Sequence, residues 1–291
     1  MKTTPARLLL ALAFAVASAG VLRADERGSR LGAAMDAQTD ITDIAPLPKH
    51  PGGAAPPAGK PDRRNRDRAG GDPAEVAGLP PLPLAAIGVV DSPSSFCTGT
   101  VIGPRIVLTA AHCVFDEYGN VRLPESFLAG HGDSGTQVEA RIVEAFVPPR
   151  FNLETFNKTN DIDGLDWAIL ELDQDIGEIT GMVEIAAFDR KALKSYDGGS
   201  RTFVQIGYGE EDGDRVTIRR DCTVMEAWDD GTFGHDCGSV SGDSGGPDLA
   251  LIDGRWQIIG IESAEIDTDN LHGVDMAVSA SSFAREAARH R

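Results

Sequence analysis

From about residue 84 onward, apolar residues come in short runs rather than long stripes. Residues 86–90, 99–102, 106–108, 138–146, 167–172, 202–207, 217–224, 256–261 and 273–277 are mostly short, rich in β-branched side chains, and punctuated by glycine, proline or aspartate. That pattern predicts short antiparallel strands joined by turns. One stretch alone has helical character: residues 281–290 open behind serines and close on Arg289, His290 and Arg291, cations suited to a helix C-terminus. No internal repeat is visible. Residues 84–291 have the right length for one all-β domain of two packed barrels.

The chain ahead of that domain follows a different pattern. Met1, Lys2 and Arg7 lead into an apolar run over residues 8–19, and small residues follow. This is the pattern of a secretory signal peptide, assigned to residues 1–24, with Ala17-Ser18-Ala19 and Ala24 as cleavage points. The run is too short and wrongly flanked for a membrane span. Residues 25–83 are rich in Ala, Gly, Pro, Asp and Arg, and Pro46, Pro48, Pro51, Pro56, Pro57 and Pro61 forbid regular helix. With too little apolar surface to form a core, they read as a disordered propeptide or linker. Arg63-Arg64-Asn65-Arg66-Asp67-Arg68 is either a solvated piece of that linker or a processing site.

Charge narrows the partners. A formal net charge of -18 argues against nucleic acid and anionic membrane surfaces. It suits a soluble, secreted or periplasmic protein and permits basic substrates. The four cysteines, Cys97, Cys113, Cys222 and Cys237, all fall in the strand-rich region. In an exported chain they imply disulfides, in one of three connectivities. There is no Cys-x-x-Cys pair and no matching histidine spacing, so no metal site is expected.

Chemistry concentrates in three places. Gly242-Asp243-Ser244-Gly245-Gly246-Pro247 sets a serine between glycines, where its hydroxyl is unobstructed and backbone N–H groups can turn toward one point. Such N–H groups, here those of Gly242 and Ser244, can hold the oxyanion formed when a hydroxyl attacks a carbonyl. His112 ends the apolar run Ile106-Val107-Leu108-Thr109-Ala110-Ala111, and histidine titrates near neutrality as a general base must. His50, His131, His235, His272 and His290 sit in polar or glycine-rich settings and are read as structural histidines with a satisfied hydrogen bond. Asp166 heads the strand Trp167-Ala168-Ile169-Leu170, where a partly buried carboxylate needs a donor such as an imidazole N–H. Asp161 and Asp163 precede a glycine and read as solvated loop acids.

The segments Cys97-Thr98-Gly99-Thr100-Val101-Ile102, Leu108-Thr109-Ala110-Ala111-His112-Cys113, Asp166-Trp167-Ala168-Ile169-Leu170 and Gly242 to Pro247 together resemble the trypsin/chymotrypsin-like serine endopeptidases. The chain order His112, Asp166, Ser244 matches that family's triad and differs from α/β-hydrolase order. Gly234-His235-Asp236-Cys237 resembles the bacterial glutamyl-endopeptidase-like branch. The resemblance implies two packed six-stranded antiparallel β-barrels with a C-terminal helix, a chymotrypsin-like fold. It implies hydrolysis of protein or peptide substrates by a monomer that needs no cofactor, with a protein inhibitor as a further partner. It also implies the bridges Cys97–Cys113 and, with it, Cys222–Cys237.

Specificity is less determined. By resemblance the substrate pocket comprises Gly238 at its floor, Ser239, Glu262, Ser263, Glu265 and Gly273. Trypsin-like enzymes carry aspartate where Gly238 stands, and glutamate-specific ones carry histidine where Glu262 stands. An inward Glu262 would favour a basic residue before the cut; the other reading turns Glu262 to solvent or to a local arginine. In the family the aspartate equivalent to Asp243 pairs with an amino terminus freed on zymogen activation. No Ile-Val-Gly-Gly sequence stands at the expected place, so two readings stay open for Asp243, a freed amino terminus or a local donor. The rival from another class is a secreted protease homologue that binds without cutting.

Overall fold

The structure, a computed structural model, describes residues 79–116, 118–132, 137–159, 163–186, 188–198, 201–209, 215–267 and 272–291. The expected signal peptide, the arginine cluster at residues 63–68 and nearly all of the expected linker lie outside them. Packing begins just before the expected domain start: Leu82 is buried, and the Trp256 indole N–H donates to the Pro80 carbonyl at 2.9 Å.

Strands β1 (Ile87–Ser92), β2 (Ser95–Gly103), β3 (Ile106–Thr109), β4 (Ser126–Ala129), β5 (Val138–Phe146) and β6 (Ala168–Leu172) close an antiparallel barrel in the order β1-β2-β3-β6-β5-β4. Closure pairs every strand on both sides and leaves no exposed edge. β2 is buried from Cys97 through Gly103. β5 alternates exposed Glu139 and Arg141 with buried Ala140 and Ile142, until a register shift between Ile142 and Glu144 breaks the alternation.

Strands β7 (Glu184–Ile185), β8 (Phe203–Gly207), β9 (Thr217–Cys222), β10 (Val224–Ala227), β11 (Thr232–His235), β12 (Pro247–Ile252), β13 (Arg255–Asp267) and β14 (His272–Ser279) form a second sheet. Its path is β10-β11-β14-β13-β12-β8-β9, with β7 parallel to β13. The all-β class is as expected, but the strand count is corrected: this is an eight-stranded sheet rather than a closed six-stranded barrel. Its two end strands, β9 and β10, are separated only by Thr223, so the chain itself joins the ends and the sheet curls on itself.

The barrel and the curled sheet share one core, in which Leu108, Phe127 and Leu170 belong to the same cluster as Ile206, Tyr208, Leu249 and Ile261. The C-terminal helix Ala280–His290 is capped by Ser279, whose side-chain oxygen accepts from the Ser281 N–H. Its buried residues Phe283 and Ala287 lie one turn apart, and Phe283 meets the Trp167 ring at 6.5 Å. Among the described residues no helix is long and apolar enough to cross a membrane.

Candidate active site

His112 stands on the short helical turn Ala111–Val114 that follows β3. Ala110 and Ala111 are fully buried, and their small side chains let the turn lie against the barrel. β3 pairs with β6 in a register that opposes Thr109 to Ala168, which brings Asp166 alongside the histidine. The His112 backbone N–H donates to Asp166 Oδ1 at 2.9 Å, and ring Nδ1 lies 2.9 Å from Oδ2. Since an ionised carboxylate only accepts, Nδ1 carries the proton and Nε2 keeps its lone pair. Ser263 Oγ adds a bond to Asp166 Oδ2 at 2.5 Å. Asp166 is buried with its charge met by these three donors.

Phe156, from the short helix Leu153–Thr159, stacks on the imidazole with centroids 5.0 Å apart. Burial draws the His112 pKa down. The charge and hydrogen bond of Asp166, with the charge of Glu262, outweigh burial and hold it above the ordinary 6.5.

The serine loop is gripped from both sides. Thr98 N–H donates to the Ser244 carbonyl at 2.8 Å and Thr98 Oγ1 to the Gly242 carbonyl at 2.9 Å; on the other side Gly245 N–H donates to the Glu262 carbonyl at 2.8 Å. Gly242 and Gly245 adopt φ of 96° and 80°. A Cβ at Gly242 would strike the Tyr208 carbonyl and the Phe96 ring, and one at Gly245 would strike Thr109 and the Thr98 carbonyl. Only glycine fits either place. Among the described residues, neither the Gly242 nor the Ser244 N–H donates to a protein acceptor.

Disulfides brace both approaches. Cys97–Cys113 ties β2 to the turn that carries His112, and Cys222–Cys237 ties β9 to the segment entering the serine loop. Two groupings bring these sulfurs near histidine, Cys97 and Cys113 beside His112, and Cys237 beside His235 and Asp248. The sulfurs are committed to disulfides and offer no thiolate to a metal.

A protein-family model described as Trypsin matches residues 83–285, most of the chain. The chain belongs to the trypsin family. It is 24% identical over 228 residues to CLIP domain-containing serine protease B4 of Anopheles gambiae, an alignment covering 67% of this chain and 61% of that protein. The chain therefore spans less than two thirds of that relative's length. It is 27% identical over 231 residues to the cercarial protease of Schistosoma mansoni, covering 70% of this chain and 83% of that one. A solved structure of a Glu endopeptidase in complex with MPD superposes with a TM-score of 0.56 at 23% identity, over 72% of this chain and 90% of that chain. At that identity the likeness is one of fold.

In this trypsin-family chain Asp243 has a local partner. Arg219 Nη2 of β9 lies 2.9 Å from Asp243 Oδ2, which also accepts from the Val240 N–H at 2.8 Å. Arg219 Nη1 donates to Gln205 Oε1 at 2.7 Å. Burial pushes the Asp243 carboxyl up to about 6, against the pull of Arg219.

The residues expected at the substrate pocket divide. Gly238, at φ 78°, has open space where a Cβ would stand. Ser239 Oγ donates to Glu262 Oε2 at 2.6 Å. Ser263 serves Asp166, Glu265 is exposed further along β13, and Gly273 lies in β14. Glu262 overturns the second reading from sequence: it is buried and turned inward, facing neither solvent nor an arginine. Its Oε2 lies 3.1 Å from His235 Nε2, close enough to pair though not aligned as a hydrogen bond.

His235 is fully buried inside the curled sheet, among acidic side chains. Burial lowers its pKa, but Glu262, Asp248 and Asp275 outweigh burial and raise it to about 10. Sequence reasoning missed Arg219, Asp248 and Asp275. A usable signal existed in Pro247-Asp248-Leu249-Ala250 and Gly273-Val274-Asp275-Met276-Ala277, because a charge inside an apolar strand run needs a buried partner.

Proposed function

We propose that the chain is an exported serine endopeptidase that hydrolyses peptide bonds through an acyl-enzyme. The observation that carries the reading is the bidentate hold of Asp166 on His112 beside the glycine-walled Ser244 loop. In the reaction, Ser244 Oγ attacks the substrate carbonyl carbon while His112 Nε2 takes its proton. Asp166 fixes the tautomer and stabilises the imidazolium. The Gly242 and Ser244 N–H groups receive the oxyanion. His112 then returns the proton to the departing amine, and water, deprotonated by the same imidazole, releases the acid product and restores the serine.

The protease names of the Anopheles and Schistosoma relatives support peptide bonds as the substrate. Two disulfides support an oxidising compartment, in line with the leader at residues 1–24. Within the family, Gly234-His235-Asp236-Cys237 supports a place beside the bacterial glutamyl-endopeptidase-like enzymes. Residues 25–83 would act as a propeptide. Because Arg219 already occupies Asp243, removing them would not work by delivering an amino terminus to that aspartate.

The test is labelling with a fluorophosphonate probe. Purified protein should be labelled at Ser244 and should cleave a denatured protein substrate, and Ser244→Ala should do neither. A correctly folded chain that stays unlabelled would favour the non-catalytic homologue.

A further inference from the structure

A cavity of about 560 Å³ opens where β8 and β9 meet the β12–β13 hairpin. That is within the range of about 300–1,000 Å³ typical of ligand sites. Strand β12 leaves the serine loop at Pro247 and reaches the cavity at Leu251, about 13 Å farther along the strand. The cavity is thus separate from the active site. Its apolar wall includes Phe188, Tyr196, Val204, Leu251 and Trp256. Its charged members are Arg201 and Arg220, with Asp221 and Asp253. The Arg201 guanidinium lies over the Tyr196 ring, 5.9 Å from its centroid.

The chain enters the domain at this cavity. Leu79, where the described residues begin, is itself part of the wall, and the Trp256 indole N–H holds the Pro80 carbonyl at 2.9 Å. Aromatic grooves favour extended, proline-containing chain, because proline fixes φ in advance and little entropy is lost on docking. Pro80, Pro81 and Pro83 already give the entering chain that character. Immediately ahead stands Asp72-Pro73-Ala74-Glu75-Val76-Ala77-Gly78, with one more proline, a valine, two acids and no cation. Fully extended, a segment of that length reaches about 23 Å, enough to cross the cavity. Because it is tethered at the wall, its effective concentration there is on the order of millimolar, so modest contacts suffice. A guanidinium has several donors and can take a carboxylate while keeping another contact.

We propose that residues 72–78 dock in this cavity, with Pro73 and Val76 against the aromatic wall and Asp72 and Glu75 toward Arg201 and Arg220. The chain ahead of the domain is then held on the outer side of the curled sheet and leaves Ser244 uncovered. The inference does not depend on the peptidase reading. It goes beyond that reading by giving part of the expected linker a binding site of its own.

Hydrogen exchange followed by mass spectrometry tests it. The sample is the purified full chain, carrying Ser244→Ala so that it cannot cut itself, and the reference is a synthetic peptide of residues 69–83. Amides of residues 74–78 should exchange about tenfold or more slowly in the chain than in the peptide, at every protein concentration. Exchange at the peptide's rate overturns the proposal. Protection that grows with protein concentration also overturns it and assigns the cavity to a second copy of the chain.

Charge reversal then locates the contact, each variant being read against a peptide of its own sequence. Asp72→Arg with Glu75→Arg should remove the protection, and Arg201→Glu with Arg220→Glu should remove it too. All four substitutions together should restore it. Protection that survives either reversal, or that fails to return in the combined variant, refutes docking at these arginines. Since Asp72 and Glu75 lie ahead of Leu79, the reversal on their side decides alone if the arginine variant does not fold.

Discussion

Arg219 and Asp243 form a buried ion pair at 2.9 Å, with Asp243 one residue ahead of Ser244 in the proposed nucleophile loop. Arg219 comes from β9 and is itself oriented by Gln205 of β8, so the sheet supplies the countercharge from within. Where the family uses a freed amino terminus, this chain has a guanidinium.

The first prediction concerns that pair. Protein carrying additional residues ahead of Leu79 should label at Ser244 as fast as protein with a trimmed terminus. Arg219→Met should abolish labelling and destabilise the fold by about 3 kcal/mol or more, because one charge of a buried pair is left alone. Denaturant unfolding and labelling rates check both. Reactivity that starts only when a new terminus is generated would count against internal ordering.

The second concerns the hydrogen-bond chain Ser263–Asp166–His112. Ser244→Ala and His112→Ala should each leave only a residual rate, since members of such a unit act together. Asp166→Asn should lower kcat by about four orders of magnitude through loss of the tautomer. Ser263→Ala removes one of three donors to Asp166 and should cost far less. Steady-state kinetics on one peptide substrate rank the four.

The third is a pH profile. His112 works as a base only when neutral, and its pKa is raised by Asp166 and Glu262. The acidic limb of kcat/KM should therefore have its midpoint above 6.5. Glu262→Gln removes one of the two raising charges and should move the midpoint to lower pH. A midpoint below 6.5 in wild type would contradict the electrostatics of the site.

The fourth is stability against pH. His235 is raised from 6.5 to about 10, so its contribution is complete below 6.5 and disappears as pH approaches 10. Asp248 and Asp275 are raised by burial from 3.8 to about 8 and about 7, so ionising them costs stability across that range. Glu262 also faces His235, and ionising Asp243, itself raised from 3.8 to about 6 by burial, costs stability with the same sign. Both trends have the same sign, and the melting temperature should fall between about pH 6 and about pH 10. A melting temperature that rises over that interval would rule out a charged His235 at the centre of the cluster.

Much of this site was legible in the chain. Ala110 and Ala111 ahead of His112, Asp166 at the head of an apolar run, and glycines on both sides of Ser244 are local signals. Each reflects a constraint met within a few residues: a turn that must pack closely, a carboxylate that needs a donor, a φ that only glycine adopts. The helix at Ala280–His290 was equally local, through its serine cap and basic end. Strands β4, β7, β11 and β12, with most of β10, lie outside the expected runs because they are short or open on proline, and their extended form comes from neighbours in the sheet.

Along the chain alone, the proposed nucleophile Ser244, base His112 and orienting acid Asp166 each sit in a recognisable local setting, and their order is distinctive. Which side chains of the curled sheet turn inward follows from strand pairing rather than from local pattern. Whether Glu262 points inward or outward depends on the register of β13 against β14, and a slip of one residue would turn every side chain to the other face. Pairing of β11 with β14 sets His235 opposite Asp275, and pairing of β9 with β8 sets Arg219 opposite Gln205, from where it reaches Asp243. Those pairings join residues far apart in the chain, and no local pattern encodes a partner that only strand pairing brings near.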